Sequence, residues 1–204
     1  MARMKRAMLL LILIAAAAHA DVVDDVINAY GGAAAWAKVK SFRQVGTVAS
    51  PMRPAPGDVT RTWTRPDRLT MEIVYPTGKE TRIVDGDRGT QNGKGASGMG
   101  LGAMRLQAAR LALPALLLDR RADVKVNGNA LEVPIAPGLT LVMEVDAKSH
   151  RVVRSVSKGE GFEFATNYGD FKSVGGLLFP LSEENFANGT KTATTTLTKI
   201  EINP

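Results

Sequence analysis

Gly93-Lys94-Gly95-Ala96-Ser97-Gly98 spells G-x-G-x-x-G, a spacing in which glycine backbone can close on a pyrophosphate at a helix N-terminus. It lies in residues 86–102, which hold seven glycines in seventeen residues and run into a helical pattern. A dinucleotide site also needs a buried apolar strand before the glycines and a βαβ unit around them. The approach here is polar, Asp85-Gly86-Asp87-Arg88-Gly89-Thr90-Gln91-Asn92. Asp119 lies about where a ribose-binding carboxylate would, but it follows a leucine run with helical character, not a parallel strand. The phosphate-loop pattern fails too, because Lys94 is followed by Gly95 where Ser or Thr is needed. Glycine backbone costs entropy to fix, so seven glycines ahead of an apolar helix are expected to form a mobile loop.

Other chemistry is thinly supplied. Cysteine is absent, and the histidines are His19 and His150. His150 ends the polar run Asp146-Ala147-Lys148-Ser149-His150, read as an exposed turn between strands. Zinc sites built from Cys and His clusters are unavailable, and any Ser-His-Asp triad beyond the N-terminal segment would have to use His150. Glu183 and Glu184 are adjacent, so on a strand they face opposite sides and make a poor acid–base pair. The sequence therefore predicts no catalytic residue, no metal and no cofactor.

The N-terminus carries Arg3, Lys5 and Arg6, then an unbroken apolar run over residues 7–18, then Ala18-His19-Ala20. This is the pattern of a secretory signal peptide, residues 1–20, with cleavage expected before Asp21. No Cys follows for lipid attachment. The mature chain, 21–204, has length enough for one domain with a sizeable core. Without the three basic residues, 23 Lys and Arg face 20 Asp and Glu, a net of +3. That excess is a weak argument for nucleic acid. The expected location is the periplasm, with no transmembrane segment in the mature chain and a monomeric state.

Residues 21–40 read as a helix. Val22, Val23, Val26, Ile27 and Tyr30 form its apolar stripe, Gly31-Gly32 weakens it, and a short second turn is expected over 33–39. From Phe42 the period changes to two. Strands are expected over 42–50, 58–65, 68–75, 79–84, 89–92, 122–126, 130–135, 139–146, 151–158, 162–171, 178–186 and 192–202. The separators are short turn sequences, Asn127-Gly128 and Asn188-Gly189 among them, which suit antiparallel neighbours. One apolar helix, 101–121, interrupts the strands, and Pro114 should break it. The fold class is α+β, mainly antiparallel β: a curled sheet of ten or eleven strands with helices on its concave face.

Leu69, Met71 and Ile73 share one strand face, as do Leu141 and Met143, and Phe162 and Phe164. These are expected to face the helix-covered side, around either a cavity or a solid core. Val59, Arg61, Trp63 and Arg65 also share a face, opposite Thr60, Thr62 and Thr64. From the residues alone the arginine face is read as solvated, because buried guanidinium groups need partners.

Trp63-Thr64-Arg65-Pro66-Asp67-Arg68-Leu69, followed by Ile83-Val84-Asp85-Gly86, resembles the strand–"RP"–strand–"DG" pattern of the LolA/LolB-like periplasmic lipoprotein carriers. Residues 168–180, from Tyr168-Gly169-Asp170 to Leu178-Phe179-Pro180, and the late Lys199-Ile200-Glu201-Ile202-Asn203, are similar to the related outer-membrane lipoprotein-sorting-like proteins. So are Tyr30-Gly31-Gly32, Val39-Lys40-Ser41 and Gly46-Thr47-Val48. The resemblance implies an antiparallel half-barrel with a helical lid over an apolar cavity for acyl chains. It makes Arg65 the latch that bonds to the lid, turns the Arg61–Trp63–Arg65 face inward, puts the lid at 101–118 and makes the glycine stretch its hinge. The cavity would be lined by Trp63, Leu69, Met71, Ile73, Leu141, Met143, Phe162 and Phe164. Gly89-Thr90 stands where the carriers have an aromatic, and the N-terminal lipidated Cys of the anchored partner type is missing.

Three functions compete on this reading. The first is a soluble periplasmic carrier or binding protein for lipid or lipoprotein acyl chains, a transport chaperone of outer-membrane biogenesis. Burying a C16 chain is worth on the order of 10 kcal/mol before the costs of binding. The second is a non-enzymatic envelope protein-interaction or sensing module whose cavity is filled by its own side chains, with other envelope proteins as partners. The third, an enzyme, has the least support.

Overall fold

The computed structural model describes residues 22–159 and 161–204. The expected signal peptide and its cleavage point before Asp21 lie outside the described residues. The first helix, α1 (22–29), buries Val23, Val26 and Ile27, the stripe its spacing predicts. Gly31 and Gly32 end it, with φ of 113° and 90°. A Cβ on Gly31 would meet the Gly176 carbonyl oxygen at 2.5 Å, so only glycine lets that distant turn approach. A second helix, α2 (Ala33–Trp36), follows, and Trp36 Nε1 donates to the Tyr30 carbonyl at 2.9 Å.

The strands are β1 (Ser41–Ala49), β2 (Gly57–Thr64), β3 (Arg68–Tyr75), β4 (Gly78–Asp85), β5 (Arg88–Gln91) and β6 (Lys94–Gly95). After the helices come β7 (Lys125–Asn127), β8 (Ala130–Ala136), β9 (Leu139–Val145), β10 (Val152–Gly159), β11 (Phe162–Val174), β12 (Leu177–Ala187) and β13 (Thr190–Ile202). They make one open sheet in the order β6-β5-β4-β3-β2-β1-β13-β12-β11-β10-β9-β8-β7, antiparallel throughout. The count is thirteen where ten or eleven were expected, because the glycine stretch itself pairs. Asn92 N–H donates to the Thr81 carbonyl at 2.9 Å, and Ala96 N–H to the Gly89 carbonyl at 2.8 Å. What reads as a mobile loop is thus mostly a hairpin, with Gly86 and Gly93 at positive φ in its turns. Asn188 and Gly189, at φ 47° and 75°, form the β12–β13 hairpin turn.

Between β6 and β7 the chain makes α3 (Gly98–Leu111) and α4 (Leu113–Asp119), which meet at a 95° bend. The break is Ala112, at φ −127° and ψ 50°, two residues before Pro114. The proline ring bars the helical carbonyl one turn back, so the chain restarts in a new direction. Among the described residues no single helix is long and apolar enough to cross a membrane. The main core lies between the four helices and most of the strands, around Trp36, Phe42, Trp63, Leu106, Leu117, Leu131, Leu141 and Phe179. Phe42 stacks on Trp63 with centroids 5.3 Å apart, and Phe179 meets Phe42 edge-on at 5.4 Å. A second, smaller cluster of Val48, Val59, Met71, Ile73 and Tyr75 sits apart on β1, β2 and β3.

The β1–β13 pairing is the one contact between strands distant in sequence, and it joins the two halves of the sheet. Asn203 ties its end: Oδ1 accepts from the Lys40 and Ser41 N–H groups at 2.8 and 3.1 Å. The register shifts between Val45 and Gly46, where the strands press together. A Cβ on Gly46 would lie 2.1 Å from the Thr196 carbonyl oxygen and 2.8 Å from Leu197 Cα, both backbone atoms. Gly46→Ala must therefore open the seam. We expect it to lower stability in urea denaturation by about 1–3 kcal/mol, the scale of an overpacked site. The adjacent exposed Thr47→Ala should stay within about 0.5 kcal/mol.

Candidate functional site

The inward face of β2 carries Val59, Arg61 and Trp63, all buried. The solvated reading of that face is therefore overturned, and the partners that burial requires are present. Arg61 Nε donates to Gln44 Oε1 at 2.6 Å, and its Nη1 donates to Glu183 Oε2 at 2.8 Å, with a second contact from Nη2 to Oε1. Arg61 is 3% exposed, so the pair is shielded from water. Such pairs are strongly destabilising to break, because the surviving charge is left unpaired. Glu184 points to the other side and pairs with Lys191 at 2.5 Å.

The polar groups continue across the concave face. Arg110, reaching down from α3, donates to Thr166 Oγ1 at 2.9 Å, and Thr166 donates to Asn185 Oδ1 at 2.9 Å. Tyr168 Oη lies 2.8 Å from Ser155 Oγ. Burial pushes the Tyr168 phenol up to about 12, against the pull of the nearby Arg110 guanidinium and the Ser155 hydroxyl. Burial likewise draws the Arg110 pKa down from its usual value. This polar band separates the main core from the small apolar cluster on β1, β2 and β3.

Two clefts open along α3, and Ala103 and Phe164 belong to the walls of both. One, about 380 Å³, lies over the small apolar cluster and includes Met71, Ile73, Met104, Arg82 and Arg110. The other, about 530 Å³, runs between α3 and the β8–β9 turn, with Leu101, Leu106, Leu139 and Phe162. Both volumes fall in the ordinary range for small-molecule sites. Large apolar side chains stand exposed on their walls: Met52 at 78% on the first, Met99 at 53% and Phe162 at 39% on the second.

The residues expected to line one cavity are spread over several environments. Met71 and Ile73 line the 380 Å³ cleft, Phe164 lines both clefts, and Phe162 stands half-exposed on the 530 Å³ cleft. Leu69, Leu141 and Met143 are sealed in the main core. Trp63, also in that core, touches a third crevice of about 100 Å³ beside Arg105 and Asp119.

Arg65 leaves the end of β2 before a cis Arg65–Pro66 bond. Its Nη1 donates to the Trp36 and Val39 carbonyls at 2.9 and 3.2 Å, at the end of α2. Its Nε and Nη2 grip the Asp119 carboxylate at the end of α4, at 3.0 and 2.6 Å to the nearer oxygens. One guanidinium thus joins two helix ends to the sheet. α4 is held further by Arg120, which donates to the Pro134 carbonyl at 2.7 Å. Arg121, just beyond, forks onto Asp24 of α1 at 2.5 and 2.7 Å, and these bonds hold the Asp24 carboxyl below its usual range. α3 has weaker ties: Arg105 donates to the Ile135 carbonyl at 3.1 Å, and residues 98–100 are exposed.

The arginines of the clefts escape sequence reading. Arg82 and Glu80 share the inward face of β4 with Val84, but the strand reads as ordinary charged surface. The signal lies in register: Glu80 pairs with Ile73, Arg82 with Met71 and Val84 with Leu69, three inward residues. Arg110 reads as polar relief on a helix, yet the sheet below supplies its acceptor.

No protein-family model matches the sequence, and no curated protein sequence matches it. Solved structures match in fold. A LolA superfamily protein from Nitrosomonas europaea superposes with a TM-score of 0.55 at 8% identity, over 90% of this chain and 93% of that one. A DUF1329 family protein from Desulfovibrio piger gives 0.50 at 7% identity, over 90% and 92%. The chain has the LolA-type fold, an open, curled antiparallel sheet with helices on its concave face.

Proposed function

We propose that the protein is an exported, non-enzymatic binder of acyl chains, from lipids or lipoproteins, that works in the periplasm after cleavage before Asp21. The observation that carries the reading is the pair of clefts along α3, with Met and Phe side chains on their walls and exposed apolar groups among them. An acyl chain gains about 0.8 kcal/mol for each methylene it buries, so partial burial in either cleft offsets much of the cost of immobilisation. α3 is the element that moves. α4 stays clamped by Arg65 and Arg120, and the non-helical Ala112 between them is the hinge. The glycine stretch, where the hinge was expected, lies at the other end of α3, and there only residues 96–97 separate the paired β6 from the helix.

A second reading, an interaction or sensing module of the envelope, has its own support. Leu106, Leu117, Leu131 and Leu141 fill the deep concave face. The two separate on whether the clefts take up apolar molecules. The deciding measurement is mass spectrometry of organic extracts of the natively purified protein, together with titration of a fluorescent fatty acid. A clean extract and no titratable binding would leave the interaction module.

Ala103 borders both clefts and is only partly buried, so bulk there obstructs them without entering the main core. Ala103→Trp is expected to weaken fatty-acid binding by about tenfold or more while circular dichroism stays unchanged.

Arg65→Leu removes the bonds that hold α2 and α4 to the end of β2. These are partly exposed, so the fold should survive, and fluorescent fatty-acid exchange is expected to change, with faster release. Unchanged exchange in Arg65→Leu, with clear binding in the parent, would make Arg65 a structural tie with no part in retention.

A further inference from the structure

We infer that the 380 Å³ cleft takes an anionic amphiphile, an acyl chain bearing a carboxylate or phosphate, with the head group held at Arg82 and Arg53. The inference deepens the acyl-binding reading and rests on it. Four arginines line this cleft: Arg53, Arg61, Arg82 and Arg110. Two carboxylates face them. Glu183 is occupied by Arg61, and Glu80 is shared, touching Arg53 with one oxygen and lying 3.5 Å from Arg82 Nη2 with the other. Arg110 pairs with no carboxylate among the described residues and donates to the neutral Thr166 hydroxyl. The cleft therefore holds two guanidinium charges beyond its carboxylates.

The second observation is Arg82 Nε, a buried donor with no hydrogen-bond partner. A donor in that state costs desolvation without return until an acceptor, from a ligand or from ordered water, reaches it. The rest of the guanidinium is held at long range by half of a shared carboxylate. An incoming anionic oxygen would complete the bonding of Arg82 and relieve Glu80 of one of its two partners. The planar fork of Arg suits carboxylate and phosphate oxygens alike.

The third observation is what lies beside these charges. Met71 pairs with Arg82 across the β3–β4 register, and Ile73 pairs with Glu80. Val48, Val59 and Tyr75 complete that apolar floor, and Met52 stands on the wall. Arg53 lies over the Tyr75 ring at 4.8 Å, which keeps its charge at the edge of the apolar surface. A cationic group next to an apolar floor is the complement of an anionic head on an acyl tail. A neutral ester would fill the floor, and its carbonyl can accept one bond from Arg82, but it brings no charge to pair with the guanidinium groups.

The test is displacement of the uncharged fluorophore N-phenyl-1-naphthylamine by dodecanoate, dodecyl phosphate and methyl dodecanoate. The two anions are expected to displace it at concentrations about tenfold or more below the ester, the scale of one or two charged hydrogen bonds. Which anion is stronger assigns the head group as carboxylate or phosphate. Arg82→Gln should weaken the preferred anion about tenfold and the ester far less, and Arg82→Lys should restore part of the preference. Thermal melting checks that both variants fold, and added salt should reduce the preference in the parent. Equal displacement by anions and ester in the parent overturns the head-group assignment and leaves the acyl-binding reading standing. Absence of binding by all three compounds in direct titration calorimetry, which does not depend on the fluorophore, overturns both.

Discussion

The concave face of this sheet is too wide for the helices that cover it. Thirteen strands present one inward face, and α1, α2 and α4 are short. They gather over one part of the sheet and seal it with Trp36, Leu113 and Leu117 against Phe42, Leu131 and Leu141. α3 adds Met104, Leu106 and Leu111 to that core and is left to span the rest. A single helix about 10 Å across cannot cover several strands spaced about 4.8 Å apart. Its flanks stay open, and those flanks are the two clefts. The candidate site is what remains of the concave face once the core is closed.

The boundary between sealed and open regions is drawn by charge. Arg61 on β2 and Glu183 on β12 meet across the two intervening strands β1 and β13. On a flat sheet these strands would stand about 14 Å apart, three strand spacings. An arginine and a glutamate close that gap only where the sheet curls and both side chains extend over its floor. The pair therefore bridges the seam that Gly46 and Asn203 pin along the backbone. A buried ion pair is weak evidence of stability in itself. Here it also excludes a hydrophobic core at that point, and so keeps the small apolar cluster of Met71, Ile73 and Tyr75 from merging with the main one.

Much of this architecture is legible in the sequence because its signals are local. Two-residue alternation gives the inward faces of β3 and β9, Asn188-Gly189 gives a hairpin, and Pro114 gives the break in the inserted helix. The exceptions depend on contacts far along the chain. Arg61 looks solvated until Glu183, 122 residues away, is brought to it. Leu69 and Met71 sit two residues apart on one strand, yet the first is sealed in the main core and the second faces a cleft. Alternation says which side of the sheet a residue faces, and only the placement of the helices says what covers it. The glycine stretch fails for a related reason. Its pairing runs mainly through backbone groups, to the Thr81 carbonyl of β4 and to the Gly89 carbonyl within the stretch itself, and leaves little side-chain pattern to read.

The polar ties are spread unevenly over the helices. At the ends of α2 and α4, Arg65, Arg120 and Arg121 make charged bonds to Asp119, Asp24 and backbone carbonyls. Along α3 the polar ties are Arg105 to a carbonyl, Arg110 to Thr166 and Gln107 to the Met71 sulfur at 3.4 Å, a weak acceptor. α3 also starts at Gly98 with no side-chain cap and ends at a non-helical residue, so neither end is braced by its own hydrogen bonds. Its inner face is nonetheless set in the main core through Met104, Leu106, Ala108 and Leu111, so apolar packing more than polar bonding holds α3 in place. α3 stands between the two clefts, so any displacement of it toward one would narrow that cleft and widen the other. Ala103 and Phe164 form the wall that the two spaces share, so a change of side-chain size there alters both.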